Sequence, residues 1–214
     1  MLFFYKTLQR KHGPPVQLLQ PAVVPDSVCG LEMDTGDDYW ILGNGKGHAF
    51  LADAFACAAG LRQGQLIYIP VSMVPNKELC EMFPPSSNIF LDMVLLNYCS
   101  LTLSSKEVVA SLASNSRWEG RVWIKPMPNE PYPRKEWNLR HRLTVKRVHK
   151  HLTISANGYM YRCMANDSRQ MANIPDAYTS NDCPEHFHYD WNERTSRSSG
   201  MTLRYWYNGS YDWP

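Results

Sequence analysis

The sequence predicts a single α+β domain over residues 1–214, with an N-terminal strand, a helical middle and an antiparallel C-terminal sheet. Three observations predict this class. Strand-forming residues open the chain and return in alternating order near its end, while helix signals lie between them. Hydrophobic residues make up 44% of the chain and charged residues 20%, which is typical of a folded protein. The length of 214 residues is sufficient for one core that needs no disulfide or metal.

The N-terminal part of the chain alternates between strand signals and helix breakers. The run LFFYKTL at 2–8 predicts a strand, and the prolines that follow predict a loop with extended pieces. The next segment, DYWILGNGKGHAFLADAFACAAGL, predicts a strand, a tight turn at the glycines and a buried helix that ends at Gly60. After it, QLIYIPVSM predicts a strand whose Pro70 lies at an edge or a bulge, because proline cannot donate to a ladder.

Two helices are predicted in the middle of the chain. The first covers Asn88 to Cys99 and takes Ser86 or Ser87 as its N-cap. The second begins at Ser104, whose spacing to Glu107 is that of a capping box. Both predictions rest on a capping residue that is followed by an apolar run.

The C-terminal part of the chain has the alternation of strands. It begins after Arg117 with RVWIK and resumes near Leu143, beyond a proline-rich connection. In HLTISANGYMYRCM, the Asn157-Gly158 pair supplies the positive φ angles that a type I′ turn needs. We therefore predict a hairpin at Asn157-Gly158, with its second strand starting at Tyr159. Residues 166–200 predict a polar loop, and MTLRYWYNGSYDW predicts a final strand.

Charge and cysteine content indicate a reducing compartment and no strong attraction to polyanions. The formal net charge is +2, so bulk charge favours neither nucleic acid nor a membrane surface. No apolar run approaches the length of a membrane span, and the opening MLFFYKTLQRK lacks the features of a signal peptide. The cysteines are far apart and form no CxxC pair, which predicts buried, reduced thiols and a cytoplasmic location. They are Cys29, Cys57, Cys80, Cys99, Cys163 and Cys183.

Potential metal ligands crowd most closely in CPEHFHYDW. His186 and His188 alternate, so on a strand they face the same way, and Asp190 and Cys183 are further candidate ligands. Structural zinc sites, however, usually have two separated ligand pairs, and catalytic sites usually draw on a recognisable partner motif. We therefore expect no metal and no cofactor, and a metal-dependent hydrolase or nuclease built on these histidines is the alternative.

No catalytic residue is predicted elsewhere. The glycines of GNGKGHAF invite comparison with a phosphate loop. In such a loop the lysine is followed by Ser or Thr, whereas Lys46 is followed by Gly47. His48, Asp53 and Cys57 are close in sequence, yet no nucleophile signature surrounds the cysteine, and its alanine neighbours favour a packing role.

Two charged segments are candidates for binding macromolecules. Clustered carboxylates next to large aromatic residues suit a protein interface, although a soluble loop gives the same pattern. This acidic turn comprises Glu32, Asp34, Asp37, Asp38, Tyr39 and Trp40. The basic run at 134–150 offers cations and Trp137 to a nucleic acid, but the small net charge and the absence of a module motif argue against that partner.

The whole chain resembles in type the bacterial immunity proteins of polymorphic-toxin and type VI secretion systems. The features that carry the resemblance are an α+β domain, 7 Trp and 12 Tyr residues, and no assembled active site. The resemblance implies a non-catalytic cytoplasmic protein that binds a cognate protein, a toxin or effector, and neutralises it. Because no individual motif carries it, no functional residue is transferred.

Overall fold

A computed structural model describes residues 1–10, 13–32, 38–71, 89–101, 103–113, 116–128, 143–174, 186–189 and 200–205. These residues form three helices and eleven strands that join into one sheet, which confirms the α+β class. The helices are α1 Gly45–Ala59, α2 Ser105–Leu112 and α3 Gly158–Ala172. The strands are β1 Leu2–Leu8, β2 Val16–Pro21, β3 Val28–Glu32, β4 Asp38–Gly43, β5 Gln65–Ile69, β6 Ile89–Asn97, β7 Gly120–Trp123, β8 Thr144–Val148, β9 His151–Ala156, β10 His186–Tyr189 and β11 Gly200–Tyr205.

Strand β6 is the centre of the sheet. The described strands follow the order β10-β11-β4-β3-β6-β5-β2-β1-β7, and the β8–β9 hairpin joins through β9 to β6. Residues 93–95 of β6 pair with both β5 and β9, so those two strands lie on opposite edges of β6. Most of the pairings are antiparallel, and the parallel ones are β2–β5, β4–β11 and β6–β9. The C-terminal strands therefore extend the N-terminal sheet and do not form a sheet of their own.

Helices α1 and α3 pack against each other and cover one face of the sheet. The start of α3 approaches the end of α1 closely because Gly158 has no side chain. A Cβ added at Gly158 would stand 3.0 Å from the carbonyl oxygen of Ala59. Phe55 of α1 stacks on Tyr161 of α3 with ring centroids 6.3 Å apart. The Tyr161 hydroxyl lies 2.7 Å from the carbonyl oxygen of Ile154, which ties α3 to β9. This face holds the main hydrophobic core.

Helix α2 lies on the opposite face of the sheet. Met93 and Leu95 of β6 belong to the main core, whereas Val94 and Leu96 belong to a second cluster that receives Val108 from α2. Side chains alternate across a strand, so the two clusters occupy opposite faces. The sheet is therefore covered by helices on both sides.

The helix predicted from Asn88 to Cys99 is wrong, because Ile89–Asn97 is the central strand β6. Residues 91–97 of this strand are all buried, so its sequence has no alternation of apolar and polar residues. A short apolar run without alternation does not distinguish a buried strand from a buried helix. The cysteine that ends this segment, Cys99, is exposed and not buried as predicted.

The hairpin predicted at Asn157-Gly158 is also wrong. Asn157 has φ −85° and ψ 173°, and its side chain accepts a hydrogen bond of 2.9 Å from the Met160 amide as the N-cap of α3. Residues at helical spacing, among them Met160, Met164 and Met171, are buried. The nearby hairpin joins β8 to β9 through His149, which has φ 55°. Residues 166–172, predicted as loop, belong to α3, and 186–189 form β10.

The predictions of the N-terminal strand, of the strand and buried helix before Gly60, and of the helix that begins at Ser104 are confirmed. The N-terminal strand is β1, the strand and buried helix around the glycines are β4 and α1 with Gly60 as C-cap, and Ser104 caps α2 in a capping box with Glu107. Strand β5 ends at Ile69, so Pro70 follows the strand and removes no ladder hydrogen bond. The final strand is β11, and residues 206–214 lie outside the described residues. None of the three described helices has the length and apolar character needed to cross a bilayer.

Candidate functional site

The described residues of the acidic turn are engaged within the fold. Glu32, at the end of β3, forms an ion pair with Arg147 of β8, and the Tyr39 hydroxyl lies 3.4 Å from Glu32 Oε1. Tyr39 is 3% exposed, so its ring is part of the core. The Trp40 indole donates a hydrogen bond of 3.2 Å to Asp38 Oδ2. Asp34 and Asp37 lie outside the described residues.

The Trp40 ring also has a cationic neighbour. The guanidinium carbon of Arg204 on β11 lies 4.5 Å from the ring centroid, in cation–π geometry. From the basic run at 134–150, Arg147 is already paired with Glu32. At the hairpin, Lys146 is partly exposed and Lys150 is exposed. Residues 134–142 of that run lie outside the described residues.

The candidate metal ligands are only partly described. His186 and His188 belong to β10, in register with Arg204 and Thr202 of β11. Cys183 and Asp190 lie outside the described residues. In the described part of the chain, no group of three or more His, Cys, Asp or Glu residues is placed to hold a metal ion.

The glycine-rich segment is a junction between β4 and α1 and not a separate tight turn. Asn44 caps the helix by accepting a hydrogen bond of 3.0 Å from the Gly47 amide. A Cβ at Gly47 would stand 2.6 Å from the carbonyl oxygen of Ser27, so glycine is required by packing. These contacts explain Gly47 without a bound anion.

His48 holds the start of α1 to the last described strand. Its Nε2 donates to the carbonyl oxygen of Arg204 at 2.9 Å, and its ring stacks on Tyr205 with centroids 5.9 Å apart. Its Nδ1 is buried and has no hydrogen-bond partner in the described structure. Burial lowers the pKa of His48 to about 4, so the imidazole is neutral at neutral pH.

Cys57 does not form a nucleophile pair with His48. Burial raises the pKa of the Cys57 thiol to about 12, and the nearest described polar contact of its Sγ is the Ile124 carbonyl oxygen at 3.8 Å. A thiol with such a pKa stays protonated and unreactive. The prediction of a buried, structural Cys57 is confirmed.

A buried polar cluster that sequence reasoning missed surrounds Asp92 of β6. The carboxylate has no exposed surface, and its Oδ2 accepts a hydrogen bond of 2.7 Å from the Tyr68 hydroxyl. Nδ1 of His151 on β9 lies 3.7 Å from the same oxygen. Burial lowers the pKa of His151. Burial, together with the hydrogen bond to Asp92, raises the pKa of Tyr68. The sequence signal is the single acid in the apolar run IFLDMVLLN.

These three groups are types used in acid–base catalysis, but their setting is structural. His151 is 5% exposed, so its imidazole is almost completely shielded from solvent. The cluster instead links β5, β6 and β9 across the centre of the sheet. A buried carboxylate with a strong donor specifies the register of the strands around it.

Among the described residues, two exposed tryptophans lie at and near the short strand β7. Trp123 is 75% exposed and Trp118 is 43% exposed. Tryptophan is enriched in protein interfaces, so two exposed tryptophans indicate a binding surface. Exposed cations accompany them. We call this set the strand-edge surface: Arg117, Trp118, Arg121, Trp123 and Lys125.

Neighbouring side chains of β1 orient part of this surface. Trp118 lies 6.2 Å from the ring of Phe4, and the Lys6 ammonium lies 5.3 Å from the Trp118 ring. The guanidinium carbon of Arg121 lies 5.1 Å from the ring of Phe4. The sequence predicted a strand at RVWIK and gave no sign that its side chains remain uncovered.

Comparison with known proteins provides no relative for this surface or this fold. No family model, no curated protein and no solved structure matches the chain.

Proposed function

We propose that this chain is a non-catalytic protein that binds a cognate protein and neutralises it, as an immunity protein does with a toxin. The observation that carries the proposal is the strand-edge surface, where two tryptophans are exposed among three cations. Trp and Arg are the residues that most often dominate the energy of a protein interface. A tryptophan that stays 75% exposed, such as Trp123, is costly to leave in water unless a partner covers it.

The interior of the protein supports a binding role over a catalytic one. Three described groups with nucleophilic or acid–base chemistry are covered: Cys57 is protonated, and His48 and His151 are buried. The exposed side chains of the strand-edge surface are instead aromatic and cationic. An inhibitor needs only such a contact surface, because it acts by covering the site of its partner.

The test is the affinity for a protein partner captured from the native host. We expect Trp123→Ala to weaken binding about thirtyfold, the equivalent of about 2 kcal/mol for the loss of an interface anchor. Because the Trp123 side chain is largely exposed, the variant is expected to unfold at the same denaturant concentration as the parent.

Ile89→Ala is the matched control for this variant. Ile89 is 43% exposed and lies on β6, four strands from β7 in the sheet order, or roughly 19 Å at the usual strand spacing. We expect it to bind normally. Equal affinities of the parent, Trp123→Ala and a Trp118→Ala variant contradict the proposed use of this surface.

A further inference from the structure

We infer that the outer edge of β7 binds an extended acidic segment of the partner protein, which adds to the sheet as a further strand. This inference rests on the proposed function, because it specifies the kind of segment that a binding protein with this surface takes. Three independent features of the described structure support it: the direction of the main-chain groups, the exposure of the side chains and the sign of their charge.

The main-chain groups of β7 alternate between β1 and the outside. Met1 and Ile124 exchange two hydrogen bonds, of 2.8 and 3.0 Å, and are thus a hydrogen-bonded pair of the antiparallel ladder. The next such pair is Phe3 with Val122. Arg121 and Trp123 lie in the alternate positions, where N–H and C=O groups point away from β1.

Among the described strands, only β1 pairs with β7, so these outward groups have no strand partner there. In the described part of the sheet, β7 is the terminal strand, and β1 is its one partner. The amides and carbonyls of Arg121 and Trp123 make no hydrogen bond to any described residue. A strand edge in this condition is a template for another strand.

The side chains next to this edge select an acidic occupant. Arg121 and Trp123 are two residues apart on one strand and project to the same face. The one nearby carboxylate among the described residues of this segment, Glu119, is bound to the Thr7 amide at 2.7 Å and to the Thr7 hydroxyl at 2.9 Å. The exposed cations therefore favour an acid opposite Arg121 and an apolar residue opposite Trp123.

The same charges argue against two other occupants. A second copy of the chain would bring its own Arg121 against this edge, and like charges across a strand pair are destabilising. A single-stranded nucleic acid would use the tryptophans and cations but would leave the outward N–H and C=O groups without strand partners. A protein strand satisfies both the main chain and the side chains.

The direct probe is a blocked octapeptide of sequence Glu-Thr-Val-Thr-Glu-Thr-Val-Thr, called the Glu–Val peptide, which presents Glu and Val in turn on one face of a strand. It is titrated into the full chain by isothermal calorimetry. A Lys–Val peptide of the same length and an oligothymidylate are the comparison ligands. We expect saturable binding of the Glu–Val peptide, and binding of the Lys–Val peptide and the oligothymidylate that is at least about tenfold weaker. Equal or stronger binding of either comparison ligand overturns the inference, as does the absence of saturable binding.

Variants at Arg121 separate the contribution of the side chain to peptide binding from that of the main chain. Arg121→Ala removes the cation and keeps the outward N–H, and we expect about fivefold weaker peptide binding. Arg121→Pro also removes the N–H and places its ring at the edge, while the ladder to β1 runs through Gly120 and Val122. A further loss of about fivefold relative to Arg121→Ala is expected. Equal binding of these two variants overturns strand addition.

A second measurement does not depend on the folding of the proline variant. Two N-methylated forms of the Glu–Val peptide are made, one methylated at the odd-numbered residues and the other at the even-numbered residues. Each is titrated into the parent protein. At least one phase must abolish binding, because a strand pairs through the amides of alternate residues. If both methylated peptides bind as the unmodified one does, main-chain pairing is excluded.

The same variants distinguish this inference from the proposed function. If a captured protein partner binds Arg121→Pro and Arg121→Ala equally well, strand addition fails and the protein-binding function stands. If the parent chain binds no protein at all under conditions in which it is folded, the proposed function fails first.

Discussion

Acidification should destabilise the fold through His48, at the start of α1. In the neutral ring Nε2 donates to the Arg204 carbonyl oxygen, and the buried Nδ1 has no acceptor within the described structure. Protonation therefore adds a charge and a second N–H at a buried position that has no described hydrogen-bond acceptor. Burial is the largest cause of the lowered pKa, which falls from 6.5 to about 4.

The direction and size of the effect follow from linkage. The folded-state pKa is below the unfolded value, so the unfolded chain takes up the proton first and stability falls as the pH drops from 6.5 towards about 4. Between about pH 7.5 and about pH 5, the two titration curves give a loss of about 2 kcal/mol from this residue. Such a loss is a large fraction of the stability of a typical domain.

Urea denaturation of the parent and of His48→Gln at both pH values measures this loss. Glutamine retains an N–H donor for the Arg204 carbonyl oxygen and does not titrate. The other histidines and the carboxylates titrate in both proteins, so their contributions cancel in the difference. We expect the free energy of unfolding to fall about 2 kcal/mol less in the variant over this pH interval. The same fall in both proteins, within about 0.5 kcal/mol, refutes the assignment to His48.

Three further predictions concern the fold. Asn157→Ala should cost about 1 kcal/mol in the free energy of unfolding by removing the N-cap of α3, whereas Asn157→Asp should retain most of it, and denaturant melts compare them. Tyr68→Phe should cost about 1–3 kcal/mol because it removes a donor from the buried Asp92 carboxylate; an unchanged melting curve contradicts the role of this cluster. Thiol labelling of the native protein should modify Cys99 quickly and Cys57 only after unfolding, which mass spectrometry of the labelled peptides resolves.

The sequence by itself determined the elements whose signals are local. Gly60 marks the end of α1, and Ser104 with Glu107 fixes the start of α2. At Ser104 the capping side chain bonds to a backbone group three residues away, so no distant contact is needed to define the start of the helix. The strand at β1 is similarly apparent because strand formers dominate it and a proline-rich segment ends it.

Only the tertiary structure decided the elements that have two locally acceptable conformations. Asn157 can begin a type I′ turn or cap a helix, and the helix is stabilised because its buried stripe packs against α1. The apolar run of β6 is a strand because β5 and β9 pair with its two edges. The candidate binding edge is the most non-local feature of all. Arg121 and Trp123 are exposed because β7 joins the sheet through β1, more than 100 residues earlier in the chain, and ends the order of the described strands.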